Sequence, residues 1–358
     1  KEKSEQGIDN AMYLRQYGYK ISYDAFCKQK FRPDYYFIYL NEKVKDAPNI
    51  LKLPEGDYLC FRERILEEAW NPQRIISYFQ GKAKPELIKQ VHKNYFKAGA
   101  DCGITCSYQA SIPGLMENGY TLEEAENLIR SAVKIFCEAR DEWWEEEEGR
   151  EAGRAWPLCL GAAGPYGAYL ADGSEYRGNY GITDEQLKEF HKRRVELLHE
   201  AGADIILFET VPSLKEAKVE AEIAEEYGYD YWISFSCLSE NIICEGTPIA
   251  ECAKTFAKGY PHLKMIGVNC TKPEYITGLI HKIKENCDIP IGVYPNSGEE
   301  YDAVKKVWFG KQSALSFEQY AYNYMKSGAS AVGGCCTTVA KHVEEVVRAK
   351  KRFSEEQK

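Results

Sequence analysis

Cys270 closes one apolar run, Met265 to Cys270, and the vicinal pair Cys335-Cys336 closes another, Ala331 to Cys336, about 65 residues later. Adjacent cysteines do not readily bond to each other, because neighbouring Cα atoms are only about 3.8 Å apart, below the usual span of a disulfide. Three thiolates brought together suit zinc, with Zn–S distances of about 2.3 Å and a fourth position left for a substrate. Gly333 and Gly334 would let the backbone fold closely around such an ion. Spacing alone leaves two readings open: this metal site, or buried cysteines acting as small hydrophobes. Glu209 is the one carboxylate that ends a wholly apolar run. It either grips a substrate ammonium through a charge-assisted hydrogen bond or receives loop N–H groups as a structural carboxylate.

The chain has 13 cysteines in 358 residues. A secreted disulfide scaffold is usually short and even-numbered, so the cytoplasm is the expected location. Cys102, Cys106 and Cys159 fall inside expected strands, and Cys137 and Cys252 on expected helices, where packing is the expected role. Cys237, at a strand end, is a weaker packing candidate. Cys27 and Cys60 lie in a less regular N-terminal part. The six histidines all sit in or beside helical stretches. That argues against a histidine-based zinc hydrolase and against a catalytic triad. A formal charge of -9 argues against a nucleic-acid surface, which needs clustered Lys and Arg. No apolar run approaches the roughly 18 residues needed to span a bilayer, and the polar start Lys1 to Asn10 lacks the apolar region of a secretory signal.

The elements that must position these residues announce themselves by a recurring phrase. Lys97-Ala98-Gly99-Ala100-Asp101, Glu200-Ala201-Gly202-Ala203-Asp204 and Ser327-Gly328-Ala329-Ser330 each follow a helical pattern and lead into a short apolar run. A glycine just past the last turn suits the left-handed position that ends helices, and the run after it reads as a buried parallel strand. Further strands are expected at Leu158 to Gly164, Tyr231 to Cys237, Met265 to Cys270 and Ile289 to Tyr294, with helices between them. The spacing predicts a (β/α)8 barrel in preference to a doubly wound sheet, since no G-x-G-x-x-G fingerprint opens a helix. Residues 1–84 form a divergent N-terminal segment in which Tyr58 to Arg62 can supply an atypical first strand, and 85–352 form the barrel. Trp143 to Arg150, with four consecutive glutamates, reads as a solvated loop before the strand Leu158 to Gly164.

Barrel enzymes place their chemistry at the C-terminal ends of the strands. Here those ends give Ser107-Tyr108-Gln109, Gly164-Pro165-Tyr166-Gly167, Glu209-Thr210, Ser236-Cys237, Asn269-Cys270, Tyr294-Pro295-Asn296-Ser297-Gly298 and Gly333-Gly334-Cys335-Cys336. Alternate strands point into one layer, so Cys270 and the Cys335-Cys336 pair, two strands apart, can converge.

Asn269-Cys270, Gly333-Gly334-Cys335-Cys336-Thr337-Thr338 and Phe208-Glu209-Thr210 resemble the homocysteine S-methyltransferase family. Ser107 to Ser111, Gly164 to Gly178 and Tyr294 to Glu299 look like its branch that uses S-methylmethionine or S-adenosylmethionine. The resemblance covers about Pro85 to Lys350. It implies a (β/α)8 barrel with zinc on Cys270, Cys335 and Cys336 and the homocysteine sulfur in the fourth position. Glu209 would hold the homocysteine amine, and Tyr108, Gln109, Asn269 and Asn296 would line the pocket. The family's first strand ends in an Asp-Gly-Gly-type loop that also contacts the amine, and no such motif occurs before Pro85. Ile50 to Arg64 instead weakly resembles the effector-binding domain of MerR-type regulators. The resemblance thus implies methyl transfer to homocysteine. The alternatives are a ligand-binding barrel fused to a regulator fragment, or methylation of another small thiol or selenol such as selenocysteine.

Overall fold

Gly99, Gly202 and Gly328 take φ values of 109°, 105° and 115°, a region open to glycine but costly for residues with a Cβ. Each ends a helix and turns the chain into a strand, as the recurring phrase predicts. In the computed structural model, which describes residues 85–146, 153–302, 307–309 and 315–357, this turn repeats around one sheet. The expectations for residues 1–84, including Tyr58 to Arg62 as first strand, lie outside the described residues.

Strands β1 (Cys102–Ile104), β2 (Leu158–Ala163), β3 (Ile205–Val211), β4 (Tyr231–Phe235), β5 (Leu263–Asn269) and β6 (Ile291–Tyr294) pair in sequence order, all parallel. An antiparallel hairpin, β7 (Glu300–Asp302) and β8 (Val307–Phe309), stands apart from the sheet. Strand β9 (Ala331–Val332) then pairs with β6 and completes seven strands. The order never reverses, so the sheet is not doubly wound; it is an α/β sheet of the kind that a (β/α)8 barrel curls from. The hairpin was not expected from the sequence.

Helix α1 (Pro85–Ala98) precedes β1, while α2 (Ile112–Glu117) and α3 (Leu122–Glu145) follow it. Next come α4 (Tyr166–Leu170), a 3₁₀ turn (Ser174–Tyr176) and α5 (Asp184–Glu200), then α6 (Leu214–Tyr227), α7 (Ile249–Phe256) and α8 (Pro273–Lys284). Helices α9 (Phe317–Ser327) and α10 (Ala340–Glu356) flank β9. Reciprocal capping boxes start α3, α5 and α9, at Thr121/Glu124, Thr183/Gln186 and Ser316/Gln319, satisfying N–H groups that the helix itself cannot. None of the described helices is long and apolar enough to cross a membrane.

Two readings need correction. Trp143 is no loop residue: α3 continues to Glu145, and Trp143 is buried against Phe96 at 5.3 Å between ring centroids. Cys106 lies in the turn beyond β1 rather than within the strand.

The sheet is apolar on both faces. One face packs on the helices through residues such as Ile206, Phe208, Ile233 and Val268. The other gathers Leu160, Leu207, Trp232 and Tyr294, with Ile104 and Met265 beside them. Gly267 and Gly292 are register partners on adjacent strands. Any Cβ at Gly292 would strike the Trp232 ring, and one at Gly267 would strike the Gly292 carbonyl. These glycines let the indole fill the interior. Helix α10 buries Val346 and Ala349 against Phe317, Ala321 and Tyr322 of α9. It also reaches the other end of the sheet, where Val347 packs on Gly99 and Lys350 pairs with Asp101 at 2.9 Å.

Candidate active site

Side chains alternate faces along a strand. The interior face that begins with Leu207 on β3, Trp232 on β4, Met265 on β5 and Gly292 on β6 therefore continues to Glu209, Ser234, Asn269 and Tyr294. This layer is polar, and its centre is Asn269. The Asn269 Oδ1 accepts from the Thr210 N–H and from the Ser234 hydroxyl, both at 2.8 Å. Its Nδ2 donates to Thr210 Oγ1 at 2.8 Å and to Cys335 Sγ at 3.8 Å. The β3 register shifts between Phe208 and Val211, a bulge that re-aims Glu209 and Thr210. Thr210, Cys270 and Thr337 all have positive φ, 59°, 45° and 65°. Such backbone costs on the order of 1–3 kcal/mol per residue, and here it sits at the ends of three strands that deliver the site.

Cys270 Sγ lies 2.7 Å from Cys335 Sγ and 3.4 Å from Cys336 Sγ, and the last two are 4.0 Å apart. Three sulfurs gathered in this way are placed where they could ligate one metal ion. The loops are tied to each other. The Cys335 N–H donates to the Pro295 carbonyl at 2.7 Å, the Ser297 N–H to the Cys336 carbonyl at 3.3 Å, and Thr338 Oγ1 to the Cys335 carbonyl at 2.6 Å. Donation from Cys335, then Cys336, holds the Cys270 thiol well below its ordinary range. The same contacts push Cys335 and Cys336 well above theirs. The groups that act on the triad from around it include Glu209, Tyr108 and Tyr176, which are themselves acids. Three cysteine sulfurs converging on one point form a donor set that fits a soft divalent metal.

Burial, then the Cys270 charge, pushes Glu209 up to about 8, and the Tyr294 hydroxyl facing it pulls the other way. Tyr108 feels both this carboxylate and Glu175 and bonds Thr210 through its hydroxyl, and its carbonyl accepts from the Gly164 N–H at 3.1 Å. Cys270, Cys335, Cys336, Glu209, Tyr108 and Asn269 are thus brought together. Gln109 Oε1 and Asn296 Oδ1 are buried acceptors without a hydrogen-bond partner among the described residues. Tyr176, at Cys270, and Thr210, at Asn269 and Tyr108, also belong to the site and were given no role from sequence. Tyr176 comes from the 3₁₀ turn, away from any strand end, and its hydroxyl donates toward Cys270.

A second cluster, His191, Glu216 and Glu220, is fully buried between α5 and α6. Arg194 fills it, donating to the Gly164 carbonyl at 2.5 Å and facing His191 Nδ1 at 2.9 Å. Glu216 accepts from the Tyr166 N–H at 2.6 Å, from the Tyr180 hydroxyl at 3.0 Å, and meets His191 Nε2 at 2.9 Å. A buried guanidinium opposes a metal ion there. The cluster acts as a clamp on the Gly164–Tyr166 turn that carries Tyr108's backbone partner.

Comparison with known proteins bears on this geometry. Residues 58–350 match the family model described as Homocysteine S-methyltransferase. The chain is 47% identical over 264 residues to Homocysteine S-methyltransferase YbgG of Bacillus subtilis (strain 168), covering 74% of this chain and 83% of that protein. It is 42% identical over 271 residues to Homocysteine S-methyltransferase 1 of Zea mays, with 74% and 83% covered. Among solved structures it resembles the metallated form of the homocysteine methyltransferase MmuM from Escherichia coli, with TM-score 0.65 and 34% identity over 74% of this chain and 84% of that one. The oxidized form of the same enzyme gives TM-score 0.67 and 33% identity, covering 78% and 88%.

Proposed function

The chain belongs to the homocysteine S-methyltransferase family, and from that premise we propose that it transfers a methyl group from S-methylmethionine or S-adenosylmethionine to the thiolate of homocysteine. Cys270, Cys335 and Cys336 hold zinc in this reading, and the convergence of their sulfurs within 4.0 Å carries it. A zinc ion bound there would stabilise the thiolate form of the acceptor.

The protein's own residues do the rest by placement. Glu209 binds the homocysteine ammonium; buried and poised near 8, it gives up its proton as the cation arrives. Gln109 and Asn296 offer their free side-chain oxygens to substrate N–H groups, while Tyr108 walls the pocket. Asn269 keeps Thr210 and Cys335 in place. In the transfer itself the acceptor sulfur forms a bond to the methyl carbon as the donor's S–CH₃ bond breaks, leaving a neutral sulfide. No proton moves in that step, so no histidine is required. Alignment of donor and acceptor is worth up to about 7–11 kcal/mol in well-oriented systems. The enzyme works in the cytoplasm.

Metal analysis of the purified chain, paired with mass detection of methionine from homocysteine and each donor, tests the reading. A single zinc per chain and methionine with at least one donor are expected. A chain that takes up no zinc on reconstitution, or makes no methionine from either donor, overturns it.

A further inference from the structure

A second carboxylate enters the same region from the 3₁₀ turn. Ser236 Oγ donates to the Glu175 carbonyl at 3.2 Å, which ties the turn to the end of β4. On its other side Asp172 Oδ1 accepts from the Ser174 N–H at 3.0 Å, and Arg177 bonds Asp172 and Ser174 at 3.1 and 3.0 Å. Gly167 lies so close beneath that a Cβ there would strike the Ser174–Glu175 backbone. The turn is therefore fixed, and Glu175 with it. Its carboxylate acts on both Tyr108 and Cys270, yet Oε2 is buried with no hydrogen-bond partner among the described residues. Gln109 Oε1 and Asn296 Oδ1 share that condition. Buried acceptors without donors are costly, and a ligand rich in N–H groups would satisfy them.

We propose that Glu175 binds the α-ammonium of the sulfonium methyl donor, giving the site one carboxylate for each of its two amino-acid substrates. The inference rests on the assignment of Glu209 to homocysteine. The ammonium is a better partner than the sulfonium for a physical reason. The sulfonium loses its charge as the methyl leaves, so a carboxylate against it would favour the ground state over the transition state and slow transfer. The ammonium keeps its charge throughout, so pairing with it binds both states alike.

Initial-rate kinetics of Glu175→Gln test this. Loss of one charge-assisted contact should raise the KM for S-methylmethionine by about 10- to 100-fold, with kcat and the homocysteine KM little changed. The penalty should vanish with dimethylsulfoniobutyrate, a donor lacking the ammonium. A penalty that falls on homocysteine, or that is equal for both donors, overturns the assignment. Calorimetric titration of S-methylmethionine into wild type and E175Q separates this proposal from the reaction itself. Wild type that turns over neither donor refutes the proposed function, and weaker donor binding to E175Q then still supports Glu175. Equal binding, or none to wild type, refutes Glu175.

Discussion

Asn269 uses both ends of its amide inside the protein, and its partners Thr210 and Ser234 come from β3 and β4. Replacing it by alanine strands the Thr210 N–H in a fully buried setting and removes a donor from Cys335. Asn269→Ala is expected to lose about 2–4 kcal/mol of stability, measured by denaturant unfolding, and to bind metal less tightly. At this scale the sequence was readable wherever an apolar run stopped at a polar residue. Cys270, Glu209 and Asn269 were found that way. The role of Asn269 was not, because its partners lie on other strands. Glu175 and Tyr176 fall within the matched stretch Gly164 to Gly178 but were given no role, because a 3₁₀ turn has no periodic apolar signal to mark what it carries.

Between elements, the glutamate run after Trp143 shows why composition misled. Lys89 and Lys93 of α1 pair with Glu138, Glu142 and Glu146 at 2.8–2.9 Å. The acidic stretch thus begins as one side of a helix-to-helix ladder, and the helix that bears it brings Trp143 into the core. The same packing buries His92, which meets Phe136 edge-on at 4.8 Å and whose Nε2 has no hydrogen-bond partner among the described residues. Burial pushes the His92 imidazole down from 6.5 to about 4. Protonation therefore favours the unfolded chain: stability from this group is intact above pH 6.5, falls as pH drops through the interval, and is fully lost below pH 4. The loss amounts to about 3 kcal/mol. His92→Phe should flatten the fall of the thermal midpoint between pH 6.5 and 4, and an unchanged acid slope would refute the assignment.

Across the whole molecule, the cysteine triad joins β5 to the turn after β9, with β6 between them. A metal bound only by the folded state adds stability by mass action, about 2.7 kcal/mol at a hundredfold excess over Kd. Chelation should therefore lower the thermal midpoint and re-addition of zinc restore it, while Cys336→Ala should blunt the response. The parallel strand order was legible from the glycine-ended helices, whose φ angles match the expectation. The β7–β8 hairpin was not, because strands of three residues leave too short a pattern.

The distance along the chain between the ligands also sets an order in time. A ribosome delivers Cys270 and must then add 65 residues before Cys335 exists. In that interval it makes α8, β6, the hairpin and α9. Until then Cys270 has no partner sulfur from the Cys335-Cys336 turn. Capture of an ion by three sulfurs would thus be a late event in biogenesis. It would wait for the Gly333–Cys336 turn.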